Sequence, residues 1–147
     1  MASYIDLFTE FVRLEIEVWN SLDADLQVSA GITLAQFQAL SAIRKNAGSA
    51  RVQDISAELM ITVGATSKLV DRLERDGLAV RSANPDDRRS SVINLSASGE
   101  SALNAADNAA EQHLRTVFGD AISAERAARM INELASLRAH PSAAMIA

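Results

Sequence analysis

The stretch TVGATSKLVDRLERDGLAVRSANPDDRRSSVINL, residues 62–95, decides the fold. Thr62 is of the type that caps a helix, and Leu69, Val70 and Leu73 recur at helical spacing to about Asp76. Gly77 then stands where a left-handed residue is needed to end the helix. Leu78–Ser82 and Ser91–Leu95 are short strand candidates. Between them Asn84-Pro85-Asp86 is turn chemistry, since proline presets φ and Asn and Asp bond their own backbone. The result is a β-hairpin with a charged tip. Working towards the N-terminus, Met60-Ile61-Thr62 makes a tight turn after a short helix at about 51–59, with Val52, Ile55 and Leu59 facing inward. Before that, Thr33 and Gln36 form a capping box. Leu34, Phe37, Leu40 and Ile43 follow it on one face, and Asn46–Ser49 ends the helix. Helix, short helix, turn, helix and hairpin make a winged helix-turn-helix over about 33–95. The predicted class is mainly α with one small hairpin.

The flanks are helical. Residues 3–27 read as one helix capped by Ser3. Ile5, Phe8, Val12, Trp19, Leu22 and Leu26 form one apolar row, and Leu7, Phe11, Leu14 and Val18 form a second. One row suffices to pack on the chain's own core, so a partner subunit is the simplest cover for the other. Ser96 opens an alanine-rich helix to about Phe118, with Leu103, Ala106, Ala110, Leu114 and Val117 in a row. Ser123 caps a last helix to about Arg138, with Ile131 and Leu134 expected inward, and Pro141 ends the order. Residues 1–147 are expected to form a single domain, with dimerisation helices at about 3–27 and 97–138 flanking the winged core.

Composition narrows the function. Of 147 residues 48% are hydrophobic, enough for a core, and the absence of cysteine excludes disulfides, Cys-ligated zinc and thiol redox sensing. Two distant histidines make a metal site improbable. No signal peptide or membrane span is read, so a soluble, cytoplasmic protein is expected. The net charge of −5 is unevenly spread: residues 1–43 carry −5, residues 44–95 carry +2 and residues 96–147 carry −2. An acidic chain with one basic face still attracts phosphate, because binding follows local potential.

That basic third holds the recognition elements. The first turns of the second helix of such a motif enter the major groove. Here they carry Thr62, Ala65, Thr66, Ser67 and Lys68, with Arg72 and Arg75 further along. Small side chains let the backbone approach, while hydroxyls and an ammonium reach phosphates and base edges. Alone, such a face reads better as solvated surface; the surrounding motif reverses that preference. At the hairpin tip, Arg88 and Arg89 suit a minor groove. Their pairing with Asp86 and Asp87 on the surface is an equal alternative.

Residues 69–100, LVDRLERDGLAVRSANPDDRRSSVINLSASGE, closely resemble the core signature of the MarR (multiple antibiotic resistance regulator) family. The signature is Asp-Arg-Leu in the recognition helix, its terminal Gly, Asp-x-Arg-Arg-Ser in the wing and Leu-Ser-x-x-Gly after it. The resemblance implies a symmetric dimer whose end helices interlock and whose wings touch the minor groove. It implies that Asp71 braces the wing by pairing with Arg89. It also implies a small-molecule effector between the dimerisation helices and the winged domain, near Phe11, Trp19, Phe37 and His113, though plain core or surface roles are the simpler reading of each.

Nothing supports an enzyme. There is no Gly-rich phosphate loop, no His-Glu-x-x-His and no Ser-His-Asp set with usable histidines, so no catalytic residue, metal or cofactor is assigned. The expected function is sequence-specific binding of double-stranded DNA at an inverted-repeat operator by a homodimer, as a repressor released by an effector. The competing function is a winged-helix protein-interaction module without DNA binding, against which the basic residues of helix and wing argue.

Overall fold

The computed structural model describes residues 3–140. Its elements are α1 (Tyr4–Ser29), α2 (Leu34–Lys45), α3 (Val52–Leu59), α4 (Val63–Arg75), β1 (Ala79–Ala83), β2 (Ser91–Leu95), α5 (Ala97–Phe118) and α6 (Ala124–Ala139). The chain is mainly α with one antiparallel hairpin, in register from Ala79 opposite Leu95 to Ala83 opposite Ser91. β1 starts one residue later than expected. Leu78 is still closing α4, its N–H donating to the Leu73 carbonyl at 2.8 Å. Pro141 lies outside the described residues.

Local chemistry sets the helix starts. The Ser3 hydroxyl accepts from the Asp6 N–H at 3.1 Å, and the Asp6 carboxylate accepts from the Ser3 N–H at 3.0 Å. The Ser3 N–H, and after it the Ser3 hydroxyl at 2.8 Å, donate to the Asp6 carboxylate and hold it below its usual range. Thr33 and Gln36 close the second capping box at 3.1 and 2.9 Å. The buried Gln36 amide also donates to Asp76 at 2.9 Å, which ties the start of α2 to the end of α4. Asp23 accepts the Leu34 N–H at 2.7 Å and joins α1 to α2.

The chain divides into two compact units, 1–111 and 112–147, and the division falls inside α5 rather than at a linker. The core of the first unit has Leu26, Leu40, Ile43, Ile55, Leu73, Ile93 and Leu103 almost fully removed from solvent. Truncating one such side chain to alanine costs about 2–5 kcal/mol. The Ile93 N–H donates to the Ala50 carbonyl at 2.7 Å, so the segment before α3 lies along β2 and fixes the hairpin to the helical body. On α1 only Leu22 and Leu26 are buried. Ile5, Phe8, Val12 and Trp19 of one apolar row are exposed, as are Leu7, Phe11 and Leu14 of the other.

In the second unit, α6 is capped by Ser123 and buries none of its residues. Ile131 and Leu134 do not face inward as the sequence suggests; they are 65% and 40% exposed. Periodicity marks an apolar face without saying which chain covers it, and this small unit has too little mass to bury one. Along α5, Leu103, Ala106 and Ala110 are buried, Leu114 is half-buried and Val117 is exposed. Among the described residues no helix is long and apolar enough to cross a membrane.

Candidate nucleic-acid interface

The turn into α4 is built without glycine. Met60 takes a left-handed conformation (φ 56°) as the C-cap of α3, and its N–H donates to the Ser56 carbonyl. The Ser56 hydroxyl donates to the Ile61 carbonyl at 2.6 Å, which holds the strained residue in place. Thr62 then caps α4, its hydroxyl accepting the Ala65 N–H at 3.2 Å.

One predicted contact residue is removed by this geometry. Thr66 has no exposure at all, and its hydroxyl donates back to the Thr62 carbonyl at 2.9 Å. It shares a helical line with Leu69, Val70 and Leu73, so it is core and cannot reach a nucleic acid. Thr62, Ala65, Lys68 and Arg72 are exposed and Ser67 is half-exposed. With Gly64, beside which a Cβ would meet nothing within 4 Å, they form a small, polar and basic face.

The wing is clamped to α4 by a different arginine from the expected one. Asp71 Oδ1 lies 2.6 Å from Nη2 of Arg81, not against Arg89. Glu74 accepts the Arg81 backbone N–H at 3.2 Å, and its other oxygen sits 3.2 Å from Arg81 Nε, close enough for ion pairing but not aligned for a hydrogen bond. The reason is chain geometry. β1 leaves α4 through a short turn, so its third residue passes directly over Asp71 and Glu74 on one helix face. Arg89 belongs to the tip, beyond the paired strands.

At the tip the side chains of Asn84 and Asp87 serve the backbone. Asn84 accepts the Asp86 N–H at 3.0 Å and Asp87 accepts the Arg89 N–H at 2.9 Å. The Asn84 amide donates to the Ser90 hydroxyl at 2.9 Å and closes the loop. Among the described residues no ion pair engages the exposed side chains of Arg88 or Arg89. Of the two readings of this loop, surface pairing is therefore not the one adopted.

Two features escaped sequence reasoning. Ser96 bonds the Gly77 carbonyl through its hydroxyl at 2.5 Å and the Leu78 carbonyl through its N–H at 3.1 Å, and its hydroxyl accepts the Gly99 N–H at 2.9 Å. Gly99 packs so tightly on the Leu78 carbonyl that a Cβ would lie 1.9 Å from its oxygen. The Leu-Ser-x-x-Gly run is thus a lock between the end of α4 and the start of α5. The second feature is a cleft of about 320 Å³ between the N-terminus of α3, the start of α4 and the wing, lined by Arg51, Gln53, Val63, Arg81, Arg89 and Ser91 among others.

Two of the aromatic residues proposed for an effector, Phe37 and Trp19, line different cavities of the first unit. Half-buried Phe37 lines a cavity of about 430 Å³ between α2 and α3, with Ala42, Lys45, Leu59 and Met60. Trp19 lines a separate shallow pocket on α1 with Glu15, Ile16 and Asn20. Phe11 lines neither, and His113 lies in the second unit.

Residues 30–90 match a family model described as MarR family. The HTH-type transcriptional repressor MdtR of Bacillus subtilis (strain 168) is 32% identical over 90 residues, which is 61% of this chain and 53% of that protein. The match spans about half the length of the curated relatives found. Wild-type apo MarR from E. coli superposes with a TM-score of 0.67 at 26% identity, covering 85% of this chain and 94% of that one. Sco3205, a MarR family transcriptional regulator from Streptomyces coelicolor solved in complex with DNA, gives a TM-score of 0.80 at 18% identity over 97% of this chain and 92% of that one. The last likeness is one of fold.

Proposed function

We propose that this chain, whose residues 30–90 match a family model described as MarR family, is a homodimeric cytoplasmic regulator of that kind that represses transcription by binding an inverted repeat in duplex DNA. It acts by binding, not catalysis. The observation that carries the reading is the pairing of two exposed basic features. One is the face of α4 made by Thr62, Ala65, Ser67, Lys68 and Arg72; the other is the wing tip, where Arg88 and Arg89 have no carboxylate partner among the described residues. In the proposed complex α4 lies in the major groove and the tip reaches the minor groove beside it. Asp71 faces DNA because it holds Arg81, and with it the wing.

The bare apolar faces of α1 and α6 support a partner copy. A two-fold axis relating two α4 helices requires half-sites about one helical turn apart, roughly 10 bp. A small-molecule effector that releases the repressor is part of the same reading, and the cavity beside Phe37 is within the size range of small-molecule sites. Selection of bound sequences from a random duplex pool, followed by footprinting, tests the proposal. Enrichment of an inverted repeat protected symmetrically about its centre is expected. Failure to enrich any duplex, or enrichment of a direct repeat, refutes it.

A further inference from the structure

We infer that the cleft between α3, α4 and the wing seats one phosphate of the DNA backbone, and that Arg51 is a positioning residue for that phosphate. The inference rests on the DNA-binding reading above. If α4 occupies a major groove and the wing tip the adjacent minor groove, the sugar–phosphate strand dividing those grooves must pass between the two elements. What lies between them is this cleft of about 320 Å³, with Val63 at the start of α4 on one side and Arg89, Ser90 and Ser91 of the wing on the other.

Its floor is suited to an anion. Arg51, Arg81 and Arg89 line it with one carboxylate, Asp87, and on its other side Arg51 borders a second cavity that holds Asp54, Asp86 and Asp87. The Asp87 carboxylate is engaged by the Arg89 backbone N–H at 2.9 Å. Arg81 is committed to Asp71 and Glu74, and Arg89 belongs to the tip. Among the described residues the Arg51 side chain is bound only to its helical neighbour Asp54, at 3.2 Å through Nε, in an exposed pair. Such a pair is worth little and leaves the terminal guanidinium nitrogens able to turn to a phosphate. Arg51 is also the N-cap residue of α3, where the first helical N–H groups add positive potential. The Ile93 N–H bond to the Ala50 carbonyl fixes the backbone beside it, so the arginine is presented from a rigid support.

Arg51→Ala and Arg51→Lys would be compared with the full-length wild type on the selected operator. The operator would be made with single methylphosphonates, which neutralise one phosphate at a time. In the wild type, one symmetric pair of positions at the major–minor groove boundary should weaken binding when neutralised. Arg51→Ala should bind natural operator at least about tenfold more weakly per half-site, the factor of one charge-assisted contact. The same loss should appear on non-operator duplex. The slope of log affinity on log salt should fall by about 0.9 per subunit. Neutralising that pair of positions should then have no further effect on Arg51→Ala, and Arg51→Lys should recover most of the salt slope. Thermal melting should be unchanged, because the Asp54 carboxylate accepts from the Arg51 backbone N–H and the alanine keeps that bond.

Arg51→Ala that binds operator as wild type does, with the same salt slope, overturns the inference. So does a loss of affinity in which every methylphosphonate position stays as sensitive as before. A wild type that binds no duplex at all refutes the DNA-binding reading instead. Inorganic phosphate that competes with operator far beyond its ionic-strength effect, equally in wild type and Arg51→Ala, would assign the cleft to a free anion and overturn the role of Arg51.

Discussion

Gly99→Ala sets two physical effects against each other. Gly99 lies in the first turn of α5, where helix propensity alone favours alanine by up to about 1 kcal/mol. The packing says the reverse. The new Cβ would stand 1.9 Å from the Leu78 oxygen and 2.9 Å from its carbonyl carbon, and ordinary contact begins near 3.4 Å. The obstruction is backbone, so no side chain can swing aside. Either α5 or the 77–78 segment must retreat by about 1.5 Å. Overpacking of this kind costs about 1–3 kcal/mol. The retreat also strains the two bonds from Ser96 to Gly77 and Leu78, at 2.5 and 3.1 Å, and losing such a cap adds about 1 kcal/mol. After the propensity gain, the expected loss is about 1–3 kcal/mol. Gly64→Ala is the matched control, a helical glycine with nothing within 4 Å of a Cβ, and it should raise stability by about 0.5 kcal/mol. Urea denaturation at one fixed protein concentration reads both, provided the slope on denaturant is unchanged. If Gly99→Ala proves as stable as wild type or more so, the lock between α4 and α5 is not the constraint described here.

Further outcomes separate the roles of individual residues. Thr66→Val should cost at most about 1 kcal/mol, because the Thr62 carbonyl keeps its bond from the Thr66 N–H, and base preference should not change; altered preference in selected sites would return Thr66 to the interface. Lys68→Ala, by contrast, should weaken operator binding and lower the salt slope by about 0.9 per subunit, as gel shift over a salt series would record. Asp71→Ala should change stability by only about 0–1 kcal/mol, since its pair with Arg81 is partly exposed, yet weaken operator binding by freeing the wing; tighter binding would show that Asp71 is merely a tolerated negative charge. Sedimentation of the wild type at micromolar concentration should show a dimer, with a melting temperature that rises with concentration; a stable folded monomer there would leave the apolar face of α1 unexplained.

The elements were legible where local chemistry dictates them. Thr33 and Gln36 announce α2, Thr62 announces α4, and Asn84-Pro85-Asp86 announces the wing, because a cap or turn is decided within four residues. Thr66 was misplaced because threonine is equally at home on either face, and only the phase set by Leu69, Val70 and Leu73 assigns it to the core. Arg81 was passed over for Arg89 because the distance between α4 and the wing depends on how the hairpin folds back. Met60 carries no sequence signal for its left-handed conformation, which the Ser56 hydroxyl and its neighbours impose. Arg51 and Gln53 precede α4 by about ten residues, and nothing short of the fold places them beside the wing tip. A basic residue just before a short helix was the one available hint.

The two ends of the wing are held by independent means. Its base is fixed by Arg81 and by the pairing of Ala79–Ala83 with Ser91–Leu95, whereas its tip is closed by Asn84, Asp87 and Ser90 bonding to one another. A self-contained tip on a fixed base is a modular part. Loop closure grows only slowly more costly with length, and an exposed tip tolerates insertion. Segments of different reach or charge could replace residues 84–90 while the register below them stays intact. The 77–78 junction allows no such freedom, because both carbonyls are committed to Ser96. Variation that retunes how this domain meets its ligand, whether by natural drift or in the laboratory, therefore has an open door at the tip and a closed one at the base.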